Sequence, residues 1–176
     1  MKEIDWDSKT TKKHIIEASK VGLKLIGKGN NPDRHYREYL FKGCRHTQDM
    51  QITHVRSGSF KCRICYKKEL EDDAKSVGFE HIRIMSKPKH EYSCIKCNHH
   101  QTFQPDAVKK NEIKCENCWE KTLISEAKKE NLTIIKKSSN ASRIYKFNKC
   151  GHTQRIFIQT VRNKETRCNT CYNKNI

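Results

Sequence analysis

The chain has no long hydrophobic run. Nothing in its 176 residues approaches the roughly 18 consecutive apolar residues that a membrane-spanning helix needs. Its opening residues, Met1 to Trp6, are polar and charged, without the apolar stretch of a secretory signal. Hydrophobic residues make up only 34% of the chain, too few for one large core. Acidic residues are sparse as well, 20 against 37 Lys and Arg. The expectation is therefore a protein without a membrane segment, placed in the cytoplasm, or in the nucleus of a eukaryotic source.

Cysteine, by contrast, is plentiful, with ten copies. In a reducing interior such cysteines serve as metal ligands rather than disulfides. Self-comparison shows how they are used. Cys44, Cys97 and Cys150 recur at a step of 53 residues, as do Cys62, Cys115 and Cys168, and Cys65, Cys118 and Cys171. His46, His99 and His152 keep the same step, and so do Gln48, Gln101 and Gln154. Chance does not place five columns in one register. A unit of about 50 residues buries little apolar surface and needs a staple to stay folded.

Each unit reads as a helix, a strand, a second strand, a Cys-x-His, fifteen residues and a Cys-x-x-Cys. Helices are expected at Thr10 to Val21, Tyr66 to Lys75 and Trp119 to Lys129. First strands are expected at Leu23–Ile26, Phe79–Ile84 and Leu132–Ile135. Second strands are expected at Tyr36–Phe41, Glu91–Ser93 and Arg143–Phe147. The first unit carries three extra residues, assigned to the turn from Gly27 to Pro32. The predicted division is an N-terminal capping helix region at 1–17 and zinc modules at 18–73, 74–126 and 127–176. In the capping region Trp6 and Lys9 stand where the paired cysteines would be, so that helix should cap the array without binding metal.

Two ligand pairs joined by a short loop suit a tetrahedral ion with sulfur and nitrogen donors. The first site is assigned to Cys44, His46, Cys62 and Cys65, and the third to Cys150, His152, Cys168 and Cys171. The middle unit has an additional Cys94, where the outer units have Phe41 and Phe147. Cys94, Cys97, Cys115 and Cys118 form the favoured four-sulfur set, with His99 as the alternative to Cys94. Three Zn2+ per chain follow. Four protein ligands close the coordination shell and leave no place for an activated water, so the metal is read as structural.

The formal net charge of +17 falls only to roughly +13 once the bound thiolates are counted as deprotonated. Nucleic acid is the default partner for such a charge. From Ala18 to Cys65 the balance is +7, from Ala74 to Cys118 it is +3, and from Ala127 to Cys171 it is +9. Basic residues also keep the repeat step: Arg56, Lys109 and Arg162 form one column, and Lys61, Lys114 and Arg167 another. Both suggest phosphate contacts, and both could instead balance the zinc thiolates. The Gln column could read adenine edges, although a hydrogen bond inside each module is the favoured reading. Tyr66, Trp119 and Tyr172, each directly after a Cys-x-x-Cys, could stack on bases. Packing into the small cores is favoured for them.

The run Lys149-Cys150-Gly151-His152-Thr153-Gln154, then Val161-Arg162, then Arg167-Cys168-Asn169-Thr170-Cys171, resembles treble-clef zinc-finger repeats of bacteriophage and bacterial proteins. Such units occur alone, in tandem or beside nuclease domains such as those of phage homing endonucleases. The resemblance extends from about residue 18 to residue 171. It implies a small, metal-stabilised α+β fold of three tandem treble-clef-like zinc modules with an N-terminal capping helix. It also implies DNA binding, with the host cytoplasm as location if the protein is phage-encoded. Nothing outside the repeats is long enough for a catalytic domain. Asn98-His99-His100 resembles part of a His-Asn-His nuclease signature, yet only one unit has it and no matching carboxylate follows at its metal site.

The sequence-level expectation is thus a non-enzymatic, zinc-dependent protein that binds nucleic acid. Double-stranded DNA is favoured, RNA remains open, and a phage regulator is the implied role. The alternatives are a protein-binding adaptor or inhibitor of a host enzyme, and a small nuclease. No small-molecule substrate is expected.

Overall fold

The computed structural model describes residues 4–86 and 88–174. It is a small α+β structure with three antiparallel sheets of three strands each, in sequential order. Two compact units, Met1–Ser76 and Val77–Ile176, divide the chain. The first holds helix α1 (Lys9–Lys20), strands β1 (Leu23–Gly27), β2 (Tyr36–Phe41) and β3 (Thr47–Gln51), and helices α2 (Ile52–Ser57) and α3 (Arg63–Ser76). The second begins with β4 (Phe79–Ile84), β5 (His90–Cys94), β6 (His100–Phe103), α4 (Pro105–Lys109) and α5 (Glu116–Lys129). It ends with β7 (Leu132–Lys137), β8 (Ser142–Phe147), β9 (Thr153–Phe157), α6 (Ile158–Arg162) and α7 (Asn169–Tyr172). Among the described residues no helix is long and apolar enough to cross a membrane.

Local chemistry explains the boundaries. Ser8 caps α1 by accepting from the Thr11 amide at 3.2 Å, a typical N-cap bond. After the long helices, Gly22, Gly78 and Asn131 take positive φ at one repeat position, the left-handed turn that ends a helix. Their carbonyls accept from Lys42, Ile95 and Asn148 at 3.0, 3.1 and 3.0 Å, which ties each of these turns to the end of the middle strand that follows it. The first strand of each sheet carries a bulge, at Ile26, Ile82 and Ile135. A bulge on an edge strand disturbs the row of free backbone groups and discourages pairing with another chain.

The buried side chains recur at the repeat step. In the first unit Ala18, Leu23, Leu25, Tyr39, Met50 and Val55 form one core, with Val21, Phe41 and Phe60 packed against it. In the third module Ala127, Leu132, Tyr145, Ile156 and Val161 do the same, with Ile134 and Phe147. The middle module buries Phe79, Tyr92 and Val108, and Phe103 lies edge-on to Phe79 at 5.5 Å. Helix α5 belongs to two modules: it starts at the second cysteine pair of the middle one and delivers Ala127 to the third core. Five or six buried apolar side chains, the larger of them worth about 1.5–3 kcal/mol each, leave a module of this size dependent on a further staple.

The third strand of each sheet and the short helices α2, α4 and α6 were not among the elements expected from the sequence. They occupy the fifteen residues between Cys-x-His and Cys-x-x-Cys. Trp6 and Lys9, expected in place of the paired cysteines, lie just before and at the start of α1, outside the Cys/His clusters.

Candidate metal centres and basic columns

The first ligand pair of each module sits where its middle strand turns into its third. In all three hairpins the residue between Cys and His (or its equivalent) has positive φ: Arg45 at 59°, Asn98 at 53° and Gly151 at 74°. Phe41, Cys94 and Phe147 donate their amides across this turn to the carbonyls of His46, His99 and His152 at 2.9, 3.0 and 2.9 Å. The second pair lies at the start of α3, α5 and α7. Gln48, Gln101 and Gln154 bridge the two halves. Their side-chain oxygens accept from the amides of Arg63, Glu116 and Asn169 at 2.9, 3.1 and 3.0 Å. The amide oxygen of each glutamine is therefore used within its module.

Three clusters result: Cys44, His46, Cys62 and Cys65; Cys94, Cys97, Cys115 and Cys118; and Cys150, His152, Cys168 and Cys171. His46 Nδ1 is 3.3 Å from Cys62 Sγ and 3.4 Å from Cys65 Sγ, and His152 Nδ1 is 3.4 Å from Cys168 Sγ and from Cys171 Sγ. In the middle cluster Cys97 Sγ is 3.4 Å from Cys115 Sγ and 3.5 Å from Cys118 Sγ, and Cys94 Sγ is 3.7 Å from Cys118 Sγ. Disulfide sulfurs stand at about 2.05 Å, and all ten cysteines are unbridged. A tetrahedral zinc with Zn–S near 2.3 Å and Zn–N near 2.0 Å needs edges of roughly 3.8 Å between sulfurs and roughly 3.5 Å from sulfur to nitrogen. The donor sets fit that ion, and each supplies all four ligands. His99 is outside the middle cluster; it lines a surface hollow with Glu91, His100, Gln101 and Glu116. His100 Nδ1 is 3.1 Å from a Glu91 carboxylate that also receives Arg83.

Backbone amides prepare the sulfurs for a cation. Cys118 N–H donates to Cys115 Sγ at 3.5 Å. The Cys171 amide brings Cys168 down to about 6, and the His99 amide brings Cys97 down to about 7. At Cys62 burial pushes the thiol up, but the Cys65 amide and His46 outweigh it and leave it at about 7. Their neighbours move the other way. Cys65 rises to about 11 beside Cys44 and Cys62, Cys171 to about 11 beside Cys150 and Cys168, and Cys118 to about 12 beside Cys97. Within each cluster one thiol is thus held low and another high, a split that a bound dication would remove while displacing protons.

The two basic columns differ in their surroundings. Arg56 Nε is paired with Glu17 at 2.9 Å and Arg162 Nε with Glu126 at 3.1 Å, each acid lying on the preceding long helix. Lys109 is engaged as well. Lys61, Lys114 and Arg167 are exposed and lie over the rings of Tyr66, Trp119 and Tyr172, at 5.0, 5.1 and 4.8 Å from their centroids. This corrects the expectation that these three aromatics fill the cores. Tyr66 and Trp119 are half-buried and Tyr172 is 51% exposed. The core position is taken instead by Tyr39, Tyr92 and Tyr145 of the middle strands, all within 1% of full burial.

No protein-family profile, no curated protein and no solved structure matches the chain.

Proposed function

We propose that this is a non-enzymatic zinc protein that binds nucleic acid, with double-stranded DNA the favoured partner. In this reading the modules are treble clefs: a knuckle and a helix start grip one zinc, and α1 caps the series without a metal of its own. The observation that carries the reading is an excess of positive charge repeated in register on metal-held modules, +7 around the first site and +9 around the third. Modules that each present cations at the same repeat positions suit a polyanion. The four-ligand clusters support a structural role for the metal, since a catalytic zinc keeps a position open. The nuclease alternative gains nothing from His99 and His100, which stand apart from the middle sulfur cluster. A regulator encoded by a bacteriophage is the biological setting that the resemblance suggests.

The test is binding to a mixed-sequence DNA duplex over a series of salt concentrations, with an RNA duplex in parallel. Affinity should fall steeply as salt rises, by about 0.9 log unit per log unit of salt for each phosphate neutralised. Binding that is absent, or that hardly changes with salt, overturns the reading.

A further inference from the structure

The six basic positions that keep the repeat step are not equivalent. A guanidinium already paired with a carboxylate brings a negative charge along with it. A phosphate approaching Arg56 or Arg162 meets Glu17 or Glu126 as well. Lys61, Lys114 and Arg167 are in a different position. Among the described residues none of the three has a carboxylate partner, and each is solvent-exposed. What holds each one is a ring.

The arrangement follows from the ligand spacing. Each cation directly precedes the first cysteine of a Cys-x-x-Cys, and each aromatic directly follows the second. The cysteine pair at the helix start therefore sets the distance between cation and ring. A lysine or arginine on an open surface samples many rotamers and must give them up on making a contact. An aromatic face attracts the cation and narrows that choice beforehand without cancelling its charge. It thus orders the cation yet leaves it available to an anion. A carboxylate would order the same side chain and neutralise it.

We infer that Lys61, Lys114 and Arg167, each seated on its ring, are the phosphate-contacting residues of the nucleic-acid-binding reading, one per module. This inference rests on that reading. Contacts of this kind fall on the sugar–phosphate backbone and carry no base preference. A ring face covered by a cation is also closed to a stacking base, so the seats favour a duplex backbone over unpaired bases. Trp119 is the most heavily covered of the three, because Arg162 also lies over it, at 4.6 Å.

The experiment compares salt dependence of duplex binding in the full chain and two variants. K61Q/K114Q/R167Q should lower the slope of log affinity against log salt by about 2.7, near 0.9 for each lost contact. R56Q/R162Q should leave the slope unchanged. Zinc content of about three ions per chain, expected from the three clusters, shows that each variant has folded. Should the triple variant fail that check, the single variants K61Q, K114Q and R167Q replace it, each expected to lower the slope by about 0.9.

If the unaltered protein shows a steep slope that the first variant retains, this assignment is overturned and the nucleic-acid reading stands. If R56Q/R162Q reduces the slope equally, the distinction between the columns is overturned. A flat slope in the unaltered protein removes both. Y66L/Y172L should weaken duplex binding several-fold and keep the slope. Loss of single-strand binding alone in that variant would make the rings base-stacking platforms and overturn their role as seats.

Discussion

Tyr92 in the middle module and Tyr145 in the third stand at the same repeat position, both fully buried, and both face a glutamine across the sheet (Gln101 and Gln154). Around this shared frame the contents differ. Where the third module has Phe147 packed against its core, the middle one has Cys94, whose sulfur joins the cluster. Where the third has Ile134 and Arg143, the middle has His81 and His90, with ring nitrogens 3.1 Å apart. Buried Arg143 donates from its two terminal nitrogens to Glu120 at 2.6 Å and to the carbonyls of Ser139 and Ser142, while its Nε has no partner among the described residues. His90 has burial to contend with, which lowers its affinity for a proton. The comparison separates what the frame demands from what it tolerates. Tyrosine, glutamine and the second cysteine pair are constant, while the fourth ligand moves between the strand end and the position five residues later.

The largest test of this difference is to remove the histidine. His152→Ala should reduce metal content from about three ions per chain to about two and unfold the third module, since structural zinc contributes roughly 10–16 kcal/mol to such folds. His99→Ala should keep all three ions, because the middle cluster holds four sulfurs without it. Equal metal loss in both variants would break the distinction. A smaller effect should follow from Cys94→Phe, which gives the middle module the outer modules' residue. His99 is then expected to turn in as the fourth ligand. The zinc count should be kept, while the absorption of the cobalt-substituted protein should shift from a four-thiolate to a three-thiolate pattern. Loss of one ion would show that the frame does not permit the exchange.

The smallest effect concerns pH. The folded pKa of His90 lies below the ordinary value of 6.5, so the unfolded chain takes up the proton first. Stability from keeping this imidazole neutral is complete above pH 6.5 and declines as pH falls toward the lower folded value. Protonation of the cysteine clusters affects both modules, so the measurement is the difference between them, read by residue-resolved hydrogen exchange. The middle module should loosen first on acidification, and H81I/H90L should abolish its lead. Simultaneous loosening would discard the histidine pair as its cause.

Much of this was legible in the sequence because a repeat multiplies weak signals. A single Cys-x-His near a Cys-x-x-Cys is ambiguous, but three in register pointed to eleven of the twelve clustered residues; Cys94, out of register, was favoured over His99 only for its own Cys-x-x-Cys spacing. The long helices and the first two strands of each sheet emerged at nearly their observed boundaries for the same reason. The third strands did not. Thr47–Gln51 and its counterparts are short and mostly polar, and what makes them strands is pairing with a middle strand rather than any propensity of their own. The partners of Arg56 and Arg162 were equally hidden, since Glu17 and Glu126 lie 39 and 36 residues away in the chain. The aromatics were assigned to the cores on size alone. Only the packed sheets show that Tyr39, Tyr92 and Tyr145 had already filled them.

Helix α5 gives the second unit a direction. Its first turn is fastened to the middle sulfur cluster, and its last turn roofs the third core with Ala127. The helix after the third cluster, α7, spans only Asn169–Tyr172 and buries no residue. Loosening of the middle cluster should therefore pass through α5 into the core of the module that follows. The middle cluster and the third core hang on one rod, so a reagent that strips the first should slacken the second.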